Sequence, residues 1–437
     1  MILFRKRKKR EQEQAAKIAE LENQILTIKN EMSPAEEKFM KDFMVGGWVG
    51  GGVSVNGDSA MKCSAVFACV RLLSGAIASA PVKIYRRGEK RARVEVENHP
   101  FKRMLGLKPN DNITASTFWK TLAGNKVLHG NGFAVIVRST SGRPIALYPI
   151  RPARVTVYQA WELNLHLKLN VDKNRLYYSV TWDDGTINII DQDDMIHVPN
   201  IGWDGKQGLS TIRAGAQAIG LAISSEESAS KLFEHGMLNN LALTYPAKLN
   251  QEAQERLRKH LADRHGGSAN HYNPLILTEG GDVKTMNMNP DDAQLIESRN
   301  FSVIDIARFF GVPPVMIGEN EKTSSFGGGV EQMARWFVMF TLNDHFTDIE
   351  QELEVKLFRN SDCFAEFDET ELTRGDTKTI TEYNKAAIGS MQQPGWLTKN
   401  EIRSNIGMGP IEGGDELFTP DPSTQQPAKG GANDAQK

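Results

Sequence analysis

The sequence predicts an α+β fold in which antiparallel hairpins pack beside helices. The apolar segment 61–80 has helical periodicity and ends at Pro81, and the alternating segment VKIYRR follows it as a strand. Further alternating segments meet at a Ser-Gly dipeptide at 141–142 and at an Asp-Asp-Gly tripeptide at 183–185, which are hairpin turn sequences. Because these strands follow one another without intervening helices, the pattern favours an α+β platform over a βαβ nucleotide-binding fold.

The composition is that of a globular protein rather than of a nucleic-acid binder or a membrane protein. At 437 residues, with 40% hydrophobic and 24% charged side chains, the chain should hold two or more compact units. Its 52 basic and 54 acidic residues leave a net charge of -2, so no overall field draws it onto DNA or an anionic membrane. Since we find neither an apolar run of about 18 residues nor a secretory signal, we expect use inside a cell and no membrane partner.

Residues 1–59 differ in character from the rest of the chain. The stretch 5–10 is entirely basic, and a glycine-rich break at 46–57 separates this region from the body. Between the two, apolar residues recur at spacings of three and four, which is typical of a short coiled-coil seam. The seam consists of Ile18, Leu21, Ile25, Ile28 and Met32. We expect a basic, partly coiled-coil arm and a flexible linker, with the arm ordered only beside other subunits.

Two long helices enclose a small insertion in the second half of the chain. The segment 210–237 is predicted as one helix, whose many alanines and glycines allow close packing against neighbours. Residues 291–310 are predicted as the second helix. Between them, alternating apolar segments surround one helical segment that begins at Gln251, which predicts a compact β-α-β-β insertion.

The segment after the second helix carries the strongest functional signal. Pro313 and Pro314 end that helix near Val312, because proline lacks an amide donor and disfavours the α conformation in the residue before it. A polar segment then leads to three glycines at 327–329, which leave the backbone nearly unrestrained. A polar loop held between two apolar helices is better explained as a functional loop than as a passive connector.

The helix after this loop is predicted to lie in the core. Its apolar residues form a first stripe of Met333, Phe337 and Phe340 and a second stripe of Phe346, Ile349, Leu353 and Leu357. Because Thr341 to Asn343 interrupt the pattern, we expect a bend or a change of packing partner near Asn343.

Nucleotide binding and hydrolysis are not predicted. Gly318, Lys322 and Thr323 faintly resemble a phosphate loop, but Glu321 stands where a glycine must precede the lysine. The segment GLST around Ser210 lacks the flanking glycines of a nucleophile elbow, so Ser210 and His197 do not indicate a triad.

Side chains that can bind metals are present but do not form ligand patterns. They are His260, His265 and His271, the cysteines at 63, 69 and 363, and Asp191, Asp193 and Asp194. The histidines share no helical face, the cysteines make no metal pair, and the aspartates lack the other ligands of a calcium loop. We expect surface histidines, structural free thiols and a solvated turn, and therefore no metal and no cofactor.

Five stretches occur in the order of a known family. They are SAVFACVRLLSGAIASAPVKIYRR, LHGNGFAVIVR, DMIHVPNIGWDGKQGLSTI, NPDDAQLIESRNFSVIDIARFFGVPPVMIG and LTKNEIRSNIGMGPIEGGD. From about Ala60 to Pro410 the chain resembles the phage portal proteins. Each stretch alone is weakly specific, whereas five in this order are specific.

The resemblance implies a homo-oligomeric ring, a dodecamer, at one vertex of a viral capsid. Double-stranded DNA would pass through the ring, driven in by the large terminase and later released. The major capsid protein and a head-tail adaptor would be the other partners, and the protein would reside in the virion after assembly in the host cytoplasm. The near-zero charge fits a conduit, because a strongly basic lining would trap the DNA through counterion release.

The resemblance also implies a domain order. It consists of the arm and linker (1–59), an α/β wing (60–209), a stem helix (210–238), a clip (239–288), a second stem helix (289–312), a tunnel loop (313–329), a long kinked wing and crown helix (330–360), a helical crown (361–412) and a disordered tail (413–437).

Two groups of residues are the expected sites. The tunnel-loop residues expected to face the axis are Glu319, Asn320, Lys322, Thr323, Ser324, Ser325 and Phe326. The clip residues expected to meet terminase or a connector are Arg256, Arg258, Lys259 and Arg264. A disordered surface loop and a solvated helix face are the respective alternatives.

Two other function classes remain open on sequence grounds. The chain could be a metal-dependent nuclease that uses Asp183, Asp184 and Asp193, which DNA cleavage in magnesium would reveal. It could also be a neck adaptor ring that joins after DNA filling and has no packaging role.

Overall fold

The structure, a computed structural model, divides the chain into two compact units. The described residues are 48–50, 53–88, 93–235, 241–244, 250–252, 254–256, 259, 282–285, 302–319, 327–359, 361–369, 372, 377–390, 393–406 and 408–420. The first unit extends to Glu369 and the second begins at Thr370. The first unit has the mixed α and β character that the sequence predicts.

Helices and small antiparallel sheets alternate along the described chain. The strands are β1 (Trp48–Gly50), β2 (Val53–Val55), β3 (Val82–Arg87), β4 (Arg93–Glu95), β5 (Asn131–Arg138), β6 (Pro144–Ile150), β7 (Val155–Gln159), β8 (Leu176–Thr181), β9 (Ile187–Asp191), β10 (Met195–Pro199), β11 (Leu241–Thr244), β12 (Asp282–Thr285) and β13 (Cys363–Phe367). The helices are α1 (Gly57–Ala60), α2 (Ser64–Ser79), α3 (Pro100–Gly106), α4 (Ala115–His129), α5 (Leu165–Leu169), α6 (Thr211–Ala214), α7 (Ala216–His235), α8 (302–309), α9 (Gly327–Phe337), α10 (Asn343–Leu357), α11 (Thr377–Ile388) and α12 (Lys399–Asn405). Within these residues, no helix combines the length and the apolar character needed to cross a bilayer.

One three-stranded sheet has the antiparallel order β10-β5-β6. The tight turn between β5 and β6 places Gly142 at φ +81, and the Gly142 amide donates to the Ser139 carbonyl at 2.8 Å. In this register Phe133 lies opposite both Ile150 and His197. The hairpin predicted at 141–142 is therefore confirmed.

A second sheet, β7-β8-β9, is an antiparallel meander whose last turn contains the predicted tripeptide at 183–185. Successive side chains of a strand point to opposite faces. Tyr177 accordingly belongs to a cluster with Ile187, and Tyr178 to a different cluster with Met195. Both faces of this sheet are thus covered by apolar packing.

Helices α2 and α4 pack against each other. The contact buries Leu73 and Ile77 of α2 and Phe118 and Leu122 of α4. Each such side chain contributes about 1.5–3 kcal/mol when it leaves water. Since the helix predicted at 61–80 is present as α2 and ends before Pro81, that prediction is confirmed.

Residues 361–369 belong to the first unit, which corrects the crown predicted from residue 361. Strand β13 pairs with β3, with Ala365 opposite Ile84, in the sheet β13-β3-β4. Its inward residues are Cys363, Ala365 and Phe367, an alternation too short to stand out in the sequence. Because the partner strand is far away in sequence, no local turn signal marks the pairing.

Residues 48–50 and 53–60 form regular structure, which corrects the flexible linker predicted there. Strands β1 and β2 pair antiparallel, and β1 packs along α7. Asn56 and Ser59 cap α1 reciprocally, each side chain accepting from the other's backbone amide at 2.8 Å. Val55 is fully buried, so the hairpin contributes to the core. The coiled coil predicted earlier in the arm lies outside the described residues.

The helix predicted at 210–237 is two helices, α6 and α7, separated by Gly215. The Ser210 hydroxyl caps α6 by accepting from the Arg213 amide at 3.3 Å. At Gly215 a Cβ atom would lie 3.2 Å from the Phe309 ring, so the close approach of α8 requires glycine there. The break was not predicted, because small residues in this segment were attributed only to packing.

Helix α9 begins at Gly327, so the three glycines lie in its first turn and not in the loop. The interruption expected near Asn343 is a π-helical turn at Val338–Leu342 that joins α9 to α10 without a break. The second apolar stripe, which begins at Phe346, is buried as predicted. Phe340 of the first stripe is instead 72% exposed. The wider π-turn rotates the residues after it relative to α-helical periodicity.

The described part of the second unit contains α11 and α12. Thr398 and Glu401 form a capping box at the start of α12. The Asn400 side chain accepts from the Ile411 amide at 2.8 Å and donates to the Asp415 carboxylate at 2.8 Å. The Gly395 amide donates to the Phe418 carbonyl at 2.9 Å. The disorder predicted from Gly413 therefore does not hold for the first residues of the tail.

Candidate functional site

The predicted tunnel loop is described only at its two ends. Glu319 is described, whereas Asn320, Lys322, Thr323, Ser324, Ser325 and Phe326 lie outside the described residues. The two flanks that hold the loop are α8 with the turn after it on one side, and α9 with the π-turn on the other. We call these two flanks the loop frame.

The entry flank ends helix α8 with a tight corner. Gly311 has φ +65, and the Val312 amide reaches back to the Ala307 carbonyl at 2.9 Å. This left-handed glycine cap satisfies carbonyls that would otherwise be left without partners. The double proline follows at once, so the helix cannot continue and ends where the sequence predicts.

The chain from the prolines to the loop is held by a single 3₁₀ turn, Pro314–Ile317. Gly318 has φ +98, and the Glu319 amide donates to the Pro314 carbonyl at 3.1 Å. Glu319 therefore starts the loop from a fixed position.

A hydrogen bond ties the two flanks to each other. The Thr341 hydroxyl, in the π-turn, donates to the Gly311 carbonyl at 2.7 Å. Phe309 and Phe340, one from each flank, line a cavity of about 240 Å³ beside this bond. Both ends of the loop therefore belong to one connected frame.

A buried lysine fastens α10, the helix that continues directly from the π-turn of the loop frame, to helix α4. The Lys126 ammonium, 1% exposed, donates to the Asp348 carboxylate at 2.6 Å and to His345 Nδ1 at 2.8 Å. Burial is the largest cause that lowers the pKa of His345, to about 3, and the nearby Lys126 charge adds to it. The imidazole is thus neutral at neutral pH and accepts from the ammonium with its unprotonated Nδ1.

A second buried histidine fastens the opposite end of α10. The Tyr178 hydroxyl donates to His197 Nδ1 at 3.1 Å, and His197 Nε2 donates to the side-chain oxygen Oδ1 of Asn131 at 3.0 Å. Burial lowers the pKa of His197 to about 3. The His197 backbone amide donates to Glu352 of α10 at 3.0 Å. These residues are far apart in the sequence, and no pattern in it indicates that they contact one another.

The structure does not bring Ser210 and His197 together as a catalytic pair. The Ser210 hydroxyl donates to the Leu128 carbonyl at 3.0 Å and caps α6, while His197 is bound by Asn131 and Tyr178. Each of these polar groups has a structural partner.

The aspartates of the nuclease alternative are also engaged separately. Asp183 pairs with Arg154, and Asp184 accepts from the Thr186 amide at 2.9 Å. Asp193 pairs with Arg175 and Arg359, both at 2.8 Å. Among the described residues, no three acidic, histidine or cysteine side chains are grouped as metal ligands.

The predicted clip site is described in part. Arg256 is exposed and pairs with Glu252 at 3.4 Å, and Lys259 is exposed, whereas Arg258 and Arg264 lie outside the described residues. Strands β11 and β12 pair antiparallel on either side of this helical segment. An exposed pair of this type contributes little to stability. Arg256 and Lys259 are therefore accessible to a partner.

The three cysteines are buried and form no disulfide. Burial raises the pKa of Cys69 to about 12 and also raises the pKa of Cys63. The thiols of Cys63 and Cys69 therefore stay protonated at neutral pH, as expected for structural cysteines.

The comparisons with known proteins agree with one another. The chain is 29% identical over 371 residues to the portal protein of Enterobacteria phage HK97, covering 84% of this chain and 83% of the relative. It is 27% identical over 384 residues to the probable portal protein of Streptomyces phage phiC31, covering 85% and 80%.

The fold is also that of a solved particle component. A chain in the neck of a native gene transfer agent particle, determined with C12 symmetry, matches with a TM-score of 0.55 and 22% identity. The match covers 81% of this chain and 94% of that chain. The family model described as phage portal protein matches residues 64–407. The chain therefore belongs to the phage portal protein family.

Proposed function

We propose that the chain assembles as a closed dodecameric ring at one capsid vertex and that double-stranded DNA enters and leaves through its axis. Membership of the portal family supports this proposal, as does the C12 symmetry of the structurally similar neck. The ring docks the large terminase during packaging, the major capsid protein at the vertex and a head-tail adaptor afterwards. No catalytic step is assigned to the chain.

The observation that carries the DNA-channel role is the loop frame. Thr341 and Gly311 join the flanks at 2.7 Å, and Lys126 joins α10, which continues from the π-turn of the frame, to α4. A polar loop held at both ends by packed helices keeps a fixed base while its tip adapts to a moving duplex. The net charge of -2 allows DNA to slide, because few phosphate contacts release few counterions.

The test replaces residues 320–326 with a glycine-serine stretch of equal length, so that the frame and α9 are kept. We expect rings of normal size but a strong loss of packaged DNA, measured by nuclease protection in assembled particles. The control replaces the exposed turn 183–185 in the same way and should package normally. Normal packaging by the loop variant would contradict the channel role.

A further inference from the structure

Three neighbouring apolar side chains face solvent on the exit flank, which consists of α9 and the π-turn. Trp336 is 52% exposed, Met339 60% and Phe340 72%. They are spaced by three and four residues, so they share one side of the helix. We call them, together with Phe309, the apolar face.

The π-turn explains why this face is exposed. Phe337 at the end of α9 and Val338 and Leu342 of the π-turn are buried and anchor the helix to the body. Since the turn is wider than an α-helical turn, Met339 and Phe340 fall on the outer side instead of continuing the inward stripe.

The apolar face continues onto the entry flank. Phe309 is 46% exposed and lines the same cavity as Phe340. Contiguous exposed aromatic side chains on a soluble chain mark an interaction site, because leaving them in water is unfavourable. Trp and Phe are also enriched at the centres of protein interfaces.

We infer that the apolar face packs against the adjacent copy of this chain, an inference that rests on the proposed ring. Trp336 lies nine residues after Gly327, where the loop ends, so it is about 14 Å along the helix from the proposed channel wall. Copies are closest to one another near the axis. Twelve copies at roughly 20 Å from the axis are roughly 10 Å apart, the distance between packed helices.

Occupancy by a second copy also fits the chemistry of the face. A cyclic ring contact joins two different surfaces of each subunit, so the face meets another part of its neighbour and not itself. A helix that starts at the proposed channel wall lies where the copies are closest, so a neighbouring copy is the first surface that it meets.

The first test compares assembly of three full-length proteins by sedimentation velocity. Phe340→Asp places a charge in the face and should lower the fraction of chains in rings roughly tenfold or more. Val355→Asp is the matched control, since Val355 is 60% exposed on α10 of the same continuous helix, and it should assemble like the wild type. Rings formed equally by all three proteins would overturn the inference.

The second test does not depend on a disruptive substitution. A photoreactive benzoyl-phenylalanine at Met339 in the full-length protein should give a ladder of covalent oligomers after illumination. Rings that assemble without cross-links would contradict the inference that the apolar face packs against the adjacent copy, and they would leave the proposed function intact. A wild-type chain that forms no ring would contradict the proposed function itself.

Discussion

Lys126 attaches α10, the helix that continues from the π-turn of the loop frame, to α4. Its ammonium is 1% exposed and is satisfied by Asp348 and the neutral His345, both from the helix that follows the loop. A buried charge is tolerated only when it is paired and hydrogen-bonded. The two contacts of Lys126 therefore hold α10 in one position on α4.

Removal of the carboxylate partner should destabilise the protein more than removal of the lysine. Asp348→Ala leaves the Lys126 charge without its partner and should cost about 3 kcal/mol of unfolding free energy. Lys126→Met removes the charge and keeps the volume, so it should cost less. Urea unfolding measures both variants.

The control for this prediction is an exposed ion pair. Asp111, whose side chain is 94% exposed, pairs with Lys108 at 3.0 Å. Asp111→Ala should cost less than about 1 kcal/mol. Equal losses in Asp348→Ala and Asp111→Ala would show that burial of Lys126 does not matter.

His345 should make the protein less stable in acid. Its pKa is about 3 in the folded protein and 6.5 when unperturbed, so the unfolded state binds the additional proton between these values. The contribution of His345 to the free energy of unfolding is fully present above pH 6.5 and falls by about 1.4 kcal/mol per pH unit below it, down to pH 3. His345→Gln should therefore show a shallower pH dependence of unfolding than the wild type.

The comparison with His345→Gln isolates this group from others. Burial raises the pKa of Glu350 to about 7, which has the opposite effect on stability between pH 4.5 and 7. Glu350 is present in both proteins and cancels in the difference. Parallel pH profiles of the two proteins would contradict a buried neutral His345.

At the scale of elements, the corner at Gly311 sets the geometry of the loop entry. Gly311 has φ +65 and its carbonyl accepts the Thr341 hydroxyl at 2.7 Å. Most residues with a side chain are strained at this φ. Gly311 therefore has two roles at this corner. It adopts the left-handed backbone conformation, and its carbonyl oxygen binds Thr341 of the other flank.

Gly311→Ala should destabilise the protein by about 1–2 kcal/mol, because alanine is unfavourable in the left-handed region. A Cβ atom there would lie 3.4 Å from the Thr341 methyl, a contact that needs little rearrangement. Gly106→Ala is the control, since that glycine has open space around it and no positive φ. The loss is measured by thermal unfolding, and equal melting temperatures for the two variants would contradict this account of the corner.

Elements with local signals were predictable from the sequence. The β5–β6 hairpin and the end of α8 were found because turn dipeptides and prolines act on their own neighbours. Strand β13 was missed because β3, its partner, is distant in sequence. An interruption was expected near Asn343, but its π-helical form was not, because Val338 and Leu342, four residues apart and both buried, also fit an α-helical stripe.

One flank of the candidate loop was predictable, but the contacts that hold both flanks were not. The double proline predicted the end of α8, whereas the start of α9 at Gly327 lies inside the predicted loop 313–329. Lys126 and His345 each look like isolated polar residues in an apolar helix. Their contact joins segments 219 residues apart, and no single-sequence pattern reports such a distance.

At the scale of the whole molecule, the proposed ring gives each surface a separate role. In this proposal the loop faces the axis, the apolar face meets the adjacent copy, and the exposed clip residues meet the motor. Weak contact with DNA is consistent with 52 basic and 54 acidic residues, because a sliding polyanion requires few fixed phosphate contacts.

The basic residues of the clip should contribute electrostatically to terminase binding. Arg256→Glu with Lys259→Glu should weaken terminase binding and leave the ring assembled, because both side chains are exposed. Surface plasmon resonance at two salt concentrations measures the binding, and the difference from wild type should shrink at high salt. Lys173→Glu, another exposed lysine, is the control. Unchanged binding by the clip variant would favour a merely solvated helix face.

The most direct test of the central proposal is electron cryomicroscopy of the full-length protein viewed down its symmetry axis. We expect a closed ring of twelve copies, in keeping with the C12 symmetry of the similar neck, with residues 320–326 as its innermost surface around a hole that admits a DNA duplex. An open assembly, or a ring whose innermost surface is formed by other residues, would contradict it.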